Sequence, residues 1–317
     1  MAREPLHLQD PQGYLSRQLI AYIGNKRRVL PDLERVFRKA GEPGSGCVFL
    51  DPFAGSGSVS RLARFMGYLV HANDWEPYSQ VVNRAHLCVS PSDTDRLFAD
   101  FGGGEKAFDF FNTLLPSPGY IAETYAPRST EDADYRRERL FYSRENGIFI
   151  DTVREAVEER WPGWDLTPDR IDEKTLLLSA LVYEAATHVN TSGVFKAYHK
   201  GFGGHGRDAL GRILTRMKLE FPVLFDGAAG CTMDGEDAAD FLSRRSGRIC
   251  YLDPPYTIHQ YGSNYHLLNT IVLWDKAAVS ESDDVSKAVS EVISLNSISG
   301  SSEAPSSLSS SVGDSSI

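Results

Sequence analysis

The chain has 317 residues, of which 41% are hydrophobic and 24% are charged, and its formal net charge is -10 at pH 7. A chain of this size can bury a large core in one or two domains. The sequence has no apolar run long enough to cross a membrane, and residues 1–11 are too polar for a secretory signal, so we expect a cytoplasmic protein. The acidic balance argues at first against a nucleic-acid partner, because phosphate binding rests on lysine and arginine.

The first part of the chain alternates between helical and strand patterns. Apolar spacing between residues 29 and 37 predicts a helix, and strands are predicted at 47–50 and 68–72. The first strand leads into DPFAGSGS at 51–58, which is typical of a glycine-bearing turn before a helix. Asp74 follows the second strand, where α/β nucleotide-binding folds place an acid on ribose hydroxyls. An isolated acid there would also serve as a helix cap, and both roles stay open.

The middle of the chain has a looser pattern. Residues 90–144 contain three consecutive glycines and a charged run, which indicate an insertion, and amphipathic helices are predicted at 145–161 and 171–189. The segment VFKAYHKGFGGH at 194–205 mixes aromatic, basic and glycine residues, as suits a loop that contacts phosphates and bases. It belongs to one of two basic clusters, near residues 17–39 and 196–218. Each cluster is either a nucleic-acid surface or a solvated helical face.

The α/β rhythm returns after residue 221. Strands are predicted at 229–233 and 248–252, with helices at 238–244 and 264–274. Asp253, Pro254, Pro255 and Tyr256 follow the last strand and place a carboxylate, outward carbonyls and a ring at the edge where open α/β sheets bind ligands. Such a corner can hold an exocyclic amine, and the alternative is a Pro-Pro turn closed by a surface tyrosine.

The end of the chain changes composition. Sixteen of the last 41 residues are serine and none is aromatic. A segment of this kind buries too little apolar surface to offset its ordering entropy, so the composition predicts disorder. The four cysteines lack any CxxC spacing and are interpreted as reduced core residues, with no metal site.

Three motifs in order, YIGNK at 22–26, DPFAGSGS at 51–58 and DPPY at 253–256, resemble the Dam-like, D12 class of N6-adenine-specific DNA methyltransferases. The resemblance runs from about residue 14 to 275. It implies a Rossmann-like α/β methyltransferase sheet that uses S-adenosylmethionine, with a mostly helical target-recognition insertion. The domains expected are a cofactor-binding part at 14–89, the insertion at 90–225, a catalytic part at 226–276 and the serine-rich tail at 277–317. Family members continue into further strands after this motif, so we expect C-terminal strands of the sheet to be missing here.

The resemblance also implies site residues. The cofactor-binding residues are Tyr22, Lys26, Asp51, Phe53, Ala54, Gly55, Gly57, Asp74, Asp237 and Asp253, with Asp234 and Asp240 as neighbours of Asp237 that fit the same role. Asp253 and the Pro254 carbonyl would accept hydrogen bonds from the adenine N6 amine, Pro255 would stiffen the corner, and Tyr256 would stack on the flipped base. The DNA-binding residues expected are Lys196, Lys200 and Arg207.

Two other functions remain open from the sequence. A related Pro-Pro-Tyr corner serves protein glutamine methylation, although that family generally begins it with Asn. A remnant that binds cofactor or DNA without turnover is the second alternative. The leading hypothesis is a DNA adenine N6-methyltransferase. It implies double-stranded DNA and a cognate restriction endonuclease as partners, and no membrane.

Overall fold

A computed structural model defines residues 10, 12–20, 24–44, 46–204, 206–255 and 261–278 of the protein. Within these residues four strands form one parallel sheet in the order β3-β2-β1-β4. The strands are β1 (Val48–Asp51), β2 (Leu69–Asn73), β3 (Thr232–Asp234) and β4 (Ile249–Cys250). Each was predicted within a few residues of its position. β1 is central, because Phe49 lies opposite Val70 of β2 on one side and Ile249 of β4 on the other.

Helices cover the sheet and fill the long insertion. They are α1 (Leu30–Ala40), α2 (Ser58–Phe65), α3 (Pro77–Cys88), α4 (Thr94–Leu97), α5 (Gly104–Asn112), α6 (Tyr120–Tyr125), α7 (Arg144–Arg160), α8 (Pro168–His188), α9 (Leu210–Leu214), α10 (Ala238–Ser243) and α11 (Tyr261–Leu273). Short 3-10 turns occur at Arg27–Val29, Pro91–Asp93 and Ala99–Phe101. The expected parallel α/β sheet with a mostly helical insertion is confirmed.

The core lies around β1 and the helix that follows it. Phe49, Leu62, Tyr68 and Val70 are fully buried in one apolar cluster. Parallel strands that are covered on both faces are apolar almost without alternation, and β1 follows this pattern with Val48, Phe49 and Leu50. Truncating a fully buried aromatic such as Phe49 to alanine costs about 3–5 kcal/mol.

A buried arginine fixes the segment that precedes α1. Arg61 of α2 is 1% exposed and donates hydrogen bonds to the carbonyl oxygens of Tyr14, Arg17 and Gln18. Three carbonyl acceptors compensate the terminal nitrogens of this buried guanidinium, whereas its Nε has no partner among the described residues. The N-terminal segment is therefore attached to the same helix that leaves the glycine turn.

The insertion packs directly on the helices of the sheet. Arg84 of α3 donates to Asp172 of α8 at 2.8 Å, and the buried Arg154 of α7 donates to the carbonyls of Ile271 and Val272 in α11. The helices predicted at 145–161 and 171–189 correspond to α7 and α8. None of the described helices is long and apolar enough to span a membrane. The disorder and missing strands predicted after residue 276 lie outside the described residues, apart from their first two positions.

Candidate active site

A cavity of about 230 Å³ opens at the carboxyl ends of the parallel strands. Its lining comes from residues 24–26, 51–56, 58–59, 73–76 and 236–238, together with Tyr251 and residues 253–255. Parallel strands all end at the same edge of a sheet, so residues far apart in sequence meet there. The structure therefore brings together all three motif regions that the sequence singled out.

Asp51 ends β1 as a deeply buried acid. It is 1% exposed, and its Oδ2 accepts a hydrogen bond of 2.6 Å from Ser60, whereas Oδ1 has no partner of acceptable geometry among the described residues. The pKa of Asp51 is raised to about 7, mainly by burial and also by the negative charges of Asp74 and Asp253. The Ser60 hydrogen bond and the nearby backbone N–H of Phe53 oppose that rise. Among the described residues, the carboxyl group at the cavity wall thus has no ion-pair partner.

The glycine turn after β1 has a conformation that side chains would not tolerate. Gly57 has φ of 79° and caps the N-terminus of α2, and a Cβ there would lie 2.5 Å from Oδ1 of Asn83. Gly55, with φ of 52°, receives hydrogen bonds at its carbonyl from Ser79 and Asn83. The turn is therefore fixed in place by α3, and its backbone faces the cavity without side chains in the way. Phe53 and Ala54 line the cavity beside it.

Asp74 follows β2 and anchors this turn. Its Oδ2 accepts from the N–H of Gly55 at 2.7 Å and its Oδ1 accepts from the N–H of Glu76 at 2.9 Å. Burial raises the pKa of Asp74, and these backbone hydrogen bonds lower it. A carboxylate accepts about four hydrogen bonds in all, so these two N–H donors do not use its full capacity. The neighbouring Trp75 is 71% exposed and also lines the cavity.

Two residues that sequence reasoning missed brace this wall. Asn73 is 1% exposed and donates to the carbonyls of Pro52 and Glu236, while its side-chain oxygen accepts from the N–H of Glu236 at 3.0 Å. It joins the loops after β1 and β3. Asn269 of α11 donates to Glu76 at 2.6 Å and accepts from the N–H of Tyr78. No local signal marks either role, because their partners are distant in sequence.

Asp237, which the resemblance assigns to the cofactor, lines the cavity and also caps a helix. Its Oδ1 accepts from the N–H of Ala239 at the start of α10 at 2.8 Å. Asp234 instead pairs with Arg245 at 2.6 Å, so its charge is already balanced within the protein.

The DPPY corner meets the N-terminal motif through an ion pair. Nζ of Lys26 lies 2.6 Å from Oδ2 of Asp253 and donates to the carbonyl of Gly24 at 3.0 Å. Pro254 and Pro255 line the cavity next to this pair. Tyr22 and Tyr256, which the resemblance places at the cofactor and the base, lie outside the described residues.

The predicted DNA-binding residues lie apart from the cavity lining. Lys196, Lys200 and Arg207 are exposed in the segment between α8 and α9. The buried side chain of Asn190 holds this segment, donating to the carbonyls of Leu140, His199 and Gly201 and accepting from the N–H of Gly203.

The fold and the cavity define a class of protein: an α/β enzyme with a ligand site built from an acidic strand end, a glycine turn and a second acid. The comparisons with known proteins give the family. The family model of the D12 class N6 adenine-specific DNA methyltransferases matches residues 22–307, and the chain belongs to this family. This confirms the resemblance stated from the three motifs.

Curated relatives agree with this membership. The chain is 36% identical over 260 residues to the type II methyltransferase M.NlaIII of Neisseria lactamica, covering 80% of this chain and 69% of that protein. It is 30% identical to the modification methylase LlaI of Lactococcus lactis subsp. lactis, covering 80% of this chain and 38% of that protein. The type II methyltransferase M.CviAII of Paramecium bursaria Chlorella virus 1 is 29% identical, and the match covers 80% of this chain and 69% of that protein. No solved structure matches the chain.

Proposed function

We propose that the protein methylates the N6 amine of an adenine flipped out of double-stranded DNA, with S-adenosylmethionine as methyl donor. The observation that carries this proposal is the Lys26–Asp253 pair, which sets the DPPY carboxylate at the rim of the cavity. The relatives named as a type II methyltransferase and a modification methylase support a role in restriction and modification. We propose with this role a cognate endonuclease as partner and the cytoplasm as the compartment.

The cavity wall fits S-adenosylmethionine. A sulfonium or ammonium group complements the buried Asp51, whose Oδ1 has no acceptable partner among the described residues. Ribose hydroxyls complement Asp74 and Glu76, and an adenine ring complements the exposed face of Trp75 and the region of Asp237. When bound, this cofactor supplies an activated methyl group. Lys26, Phe53, Ala54, Gly55 and Gly57 would shape the remaining contacts.

The DPPY corner would activate the amine. The lone pair of adenine N6 is delocalised into the ring, which makes the amine a poor nucleophile. Asp253, held at Oδ2 by Lys26, has Oδ1 left to accept one N6–H hydrogen bond, and the Pro254 carbonyl would accept the other. Two acceptors favour a pyramidal nitrogen and stabilise the positive charge that develops on it. Pro255 keeps the corner rigid, and Tyr256 would stack on the flipped base.

The direct test is transfer of labelled methyl groups from S-adenosylmethionine to plasmid DNA, followed by nucleoside analysis for N6-methyladenine. Asp253→Ala should lower turnover by about a hundredfold or more, because it removes an acceptor used mainly in the transition state. Equilibrium binding of duplex DNA should stay nearly unchanged in this variant. Methyl transfer by the variant at the wild-type rate would contradict the assignment of the corner. Label incorporated into protein but not into DNA would contradict the substrate.

A further inference from the structure

A second exposed segment lies beside the basic loop, which we define as residues 194–204. This neighbour, the arginine segment, comprises residues 128–139. Nζ of Lys200 in the basic loop lies 5.9 Å from the ring centroid of Tyr135, and the Tyr198 hydroxyl donates to the carbonyl of Glu138 at 3.3 Å. Two stretches about sixty residues apart in the chain therefore share one surface.

A buried anchor holds the two segments in a fixed relation. The side chain of Asn190, which is fully buried, donates to the carbonyl of Leu140 at 2.9 Å, and its backbone N–H donates to Phe141 at 2.8 Å. The ring of Phe141 packs edge-on against Tyr198 of the basic loop with centroids 5.1 Å apart. These hydrogen bonds and this ring packing hold the buried side of both segments. The charged side chains of the two segments are therefore on the solvent side of one surface.

The arginine segment has no net charge in sequence, and all four of its acids accept hydrogen bonds from the segment itself. It contains four arginines and four acids. Glu138 accepts hydrogen bonds from the backbone N–H groups of Arg128 and Asp134, and Asp134 accepts from the N–H of Arg136. Glu131 and Asp132 accept from the Ser129 hydroxyl. The acids are therefore largely occupied in shaping the turn.

Two of the arginines extend from this turn instead. The side chain of Arg137 is 86% exposed, and its contact with Asp134 is a 3.8 Å pair at the surface, which contributes little. The guanidinium of Arg136 lies 5.3 Å from the centroid of the Tyr135 ring, the same ring that Lys200 approaches. Two cations that share one ring repel each other, and a bound anion near both would relieve that repulsion.

We infer that Arg136 and Arg137 form one phosphate-binding face with Lys196 and Lys200, and that its ligand is the backbone of duplex DNA. The inference rests on the proposed function and extends it to a segment that its sequence marks only as charged. Phosphate contacts of this type fix the position of a protein on the duplex without reading its sequence. Tyr135 is a positioning residue here, because it aligns the cations from both segments.

The test is the salt dependence of binding to a short mixed-sequence DNA duplex, measured by fluorescence anisotropy. In the double variant Arg136→Gln/Arg137→Gln, the slope of log K against log salt should fall by about two, because each lost phosphate contact removes about 0.9. Arg136→Lys/Arg137→Lys keeps both charges and should retain most of the slope. Arg96→Gln/Lys106→Gln removes two exposed charges from α4 and α5 and should leave the slope unchanged.

The outcomes separate this inference from the proposed function. A wild-type slope in the Arg136→Gln/Arg137→Gln variant, with wild-type DNA binding intact, overturns the inference alone. A wild-type chain that binds no duplex overturns both. The single variants Arg136→Gln and Arg137→Gln, each with a slope change of about one, give the same answer if the double variant does not fold. Wild-type S-adenosylmethionine binding in each variant shows that the sheet is intact.

Discussion

Nζ of Lys26 lies 2.6 Å from Oδ2 of Asp253, so the loop before α1 holds the carboxylate of the DPPY corner. Both side chains are partly buried, at 23% and 28% exposed. A pair in this position is screened less than one at the surface, and its geometry selects one orientation of the carboxylate. The N-terminal motif and the DPPY motif are therefore joined directly, although 227 positions separate Lys26 from Asp253 in the chain.

Lys26→Met should lower kcat by about tenfold or more, because the Asp253 carboxylate would no longer be held for the N6 amine. The measurement is single-turnover methyl transfer with saturating DNA and S-adenosylmethionine, so that weaker binding does not enter. Lys26→Arg should recover part of the rate, since it restores the charge with a different geometry.

A double-mutant cycle decides whether Lys26 acts through Asp253. In the Asp253→Ala background, Lys26→Met should lower the rate of methyl transfer little further, because the carboxylate that Lys26 orients is already absent. Full additivity of the two rate losses would show that Lys26 has an independent role, such as direct contact with the cofactor.

The basic loop gives a prediction based on charge. Lys196→Gln and Lys200→Gln should each weaken binding to all duplex sequences alike and lower the salt slope by about one. Both residues are exposed, so neither change leaves a buried group without a partner. Unchanged salt slopes in both variants would show that these lysines belong to a solvated surface that does not contact DNA phosphates. Arg207, at φ of 53° in the same exposed segment, should behave in the same way.

Asn190 gives a prediction about how the basic loop is held in place, not about its charge. Asn190→Ala leaves the carbonyls of Leu140, His199 and Gly201 without this donor, at a cost of about 1–3 kcal/mol for each buried group left unsatisfied. DNA binding should weaken at every salt concentration while the salt slope stays close to wild type, because the lysines remain. Anisotropy titrations at low and high salt measure both quantities.

Asn112→Ala is the matched control for Asn190→Ala. Asn112 exchanges two hydrogen bonds with the backbone of Leu219, at 2.9 and 2.8 Å, and so braces a different part of the insertion. The Asn112→Ala variant should have a lower free energy of unfolding and an unchanged DNA affinity. Equal losses of DNA affinity in both variants would mean that Asn190 acts only through general stability.

Much of the sheet and its glycine turn could be predicted because those signals are local. β1, β2 and β4 lie in short, mainly apolar runs, and DPFAGSGS contains the two glycines whose positive φ the turn requires. The start of α3 was not predicted, although Pro77 stands at its first position. The mixture of polar and apolar residues in this helix hides its period, since it is buried on more than one side.

The supporting residues could not be predicted, because each depends on a partner brought close only by folding. Asn73 meets Glu236, Asn269 meets Glu76, and Lys200 meets the ring of Tyr135. The sequence shows an amide or a charge at these positions without its partner. The Lys26–Asp253 pair is intermediate, because the motifs marked both residues but not their contact.

Asp51 makes the stability of the protein depend on pH. Burial raises its pKa from 3.8 to about 7, so between these values the folded protein binds a proton that the unfolded chain does not. The free energy of unfolding changes with pH in proportion to the protons bound by the unfolded state minus those bound by the folded state. This difference is negative here. The contribution of Asp51 to the free energy of unfolding is therefore largest below about pH 4. It falls by up to about 1.4 kcal/mol per pH unit as the pH rises toward about 7, and it does not change further above that pH.

Asp51→Asn isolates this effect, because the amide cannot ionise and keeps an oxygen for the Ser60 hydroxyl. Urea unfolding of the ligand-free wild type and of the variant, between about pH 5 and pH 8, gives the difference in the free energy of unfolding at each pH. The stability of the variant relative to wild type should increase with pH and level off above about pH 7. Asp109→Asn removes an exposed acid of α5 and controls for the loss of one negative charge. A relative stability of Asp51→Asn that does not change with pH would show that this carboxyl group is ionised in the folded protein throughout the range, stabilised by a donor or cation near Oδ1.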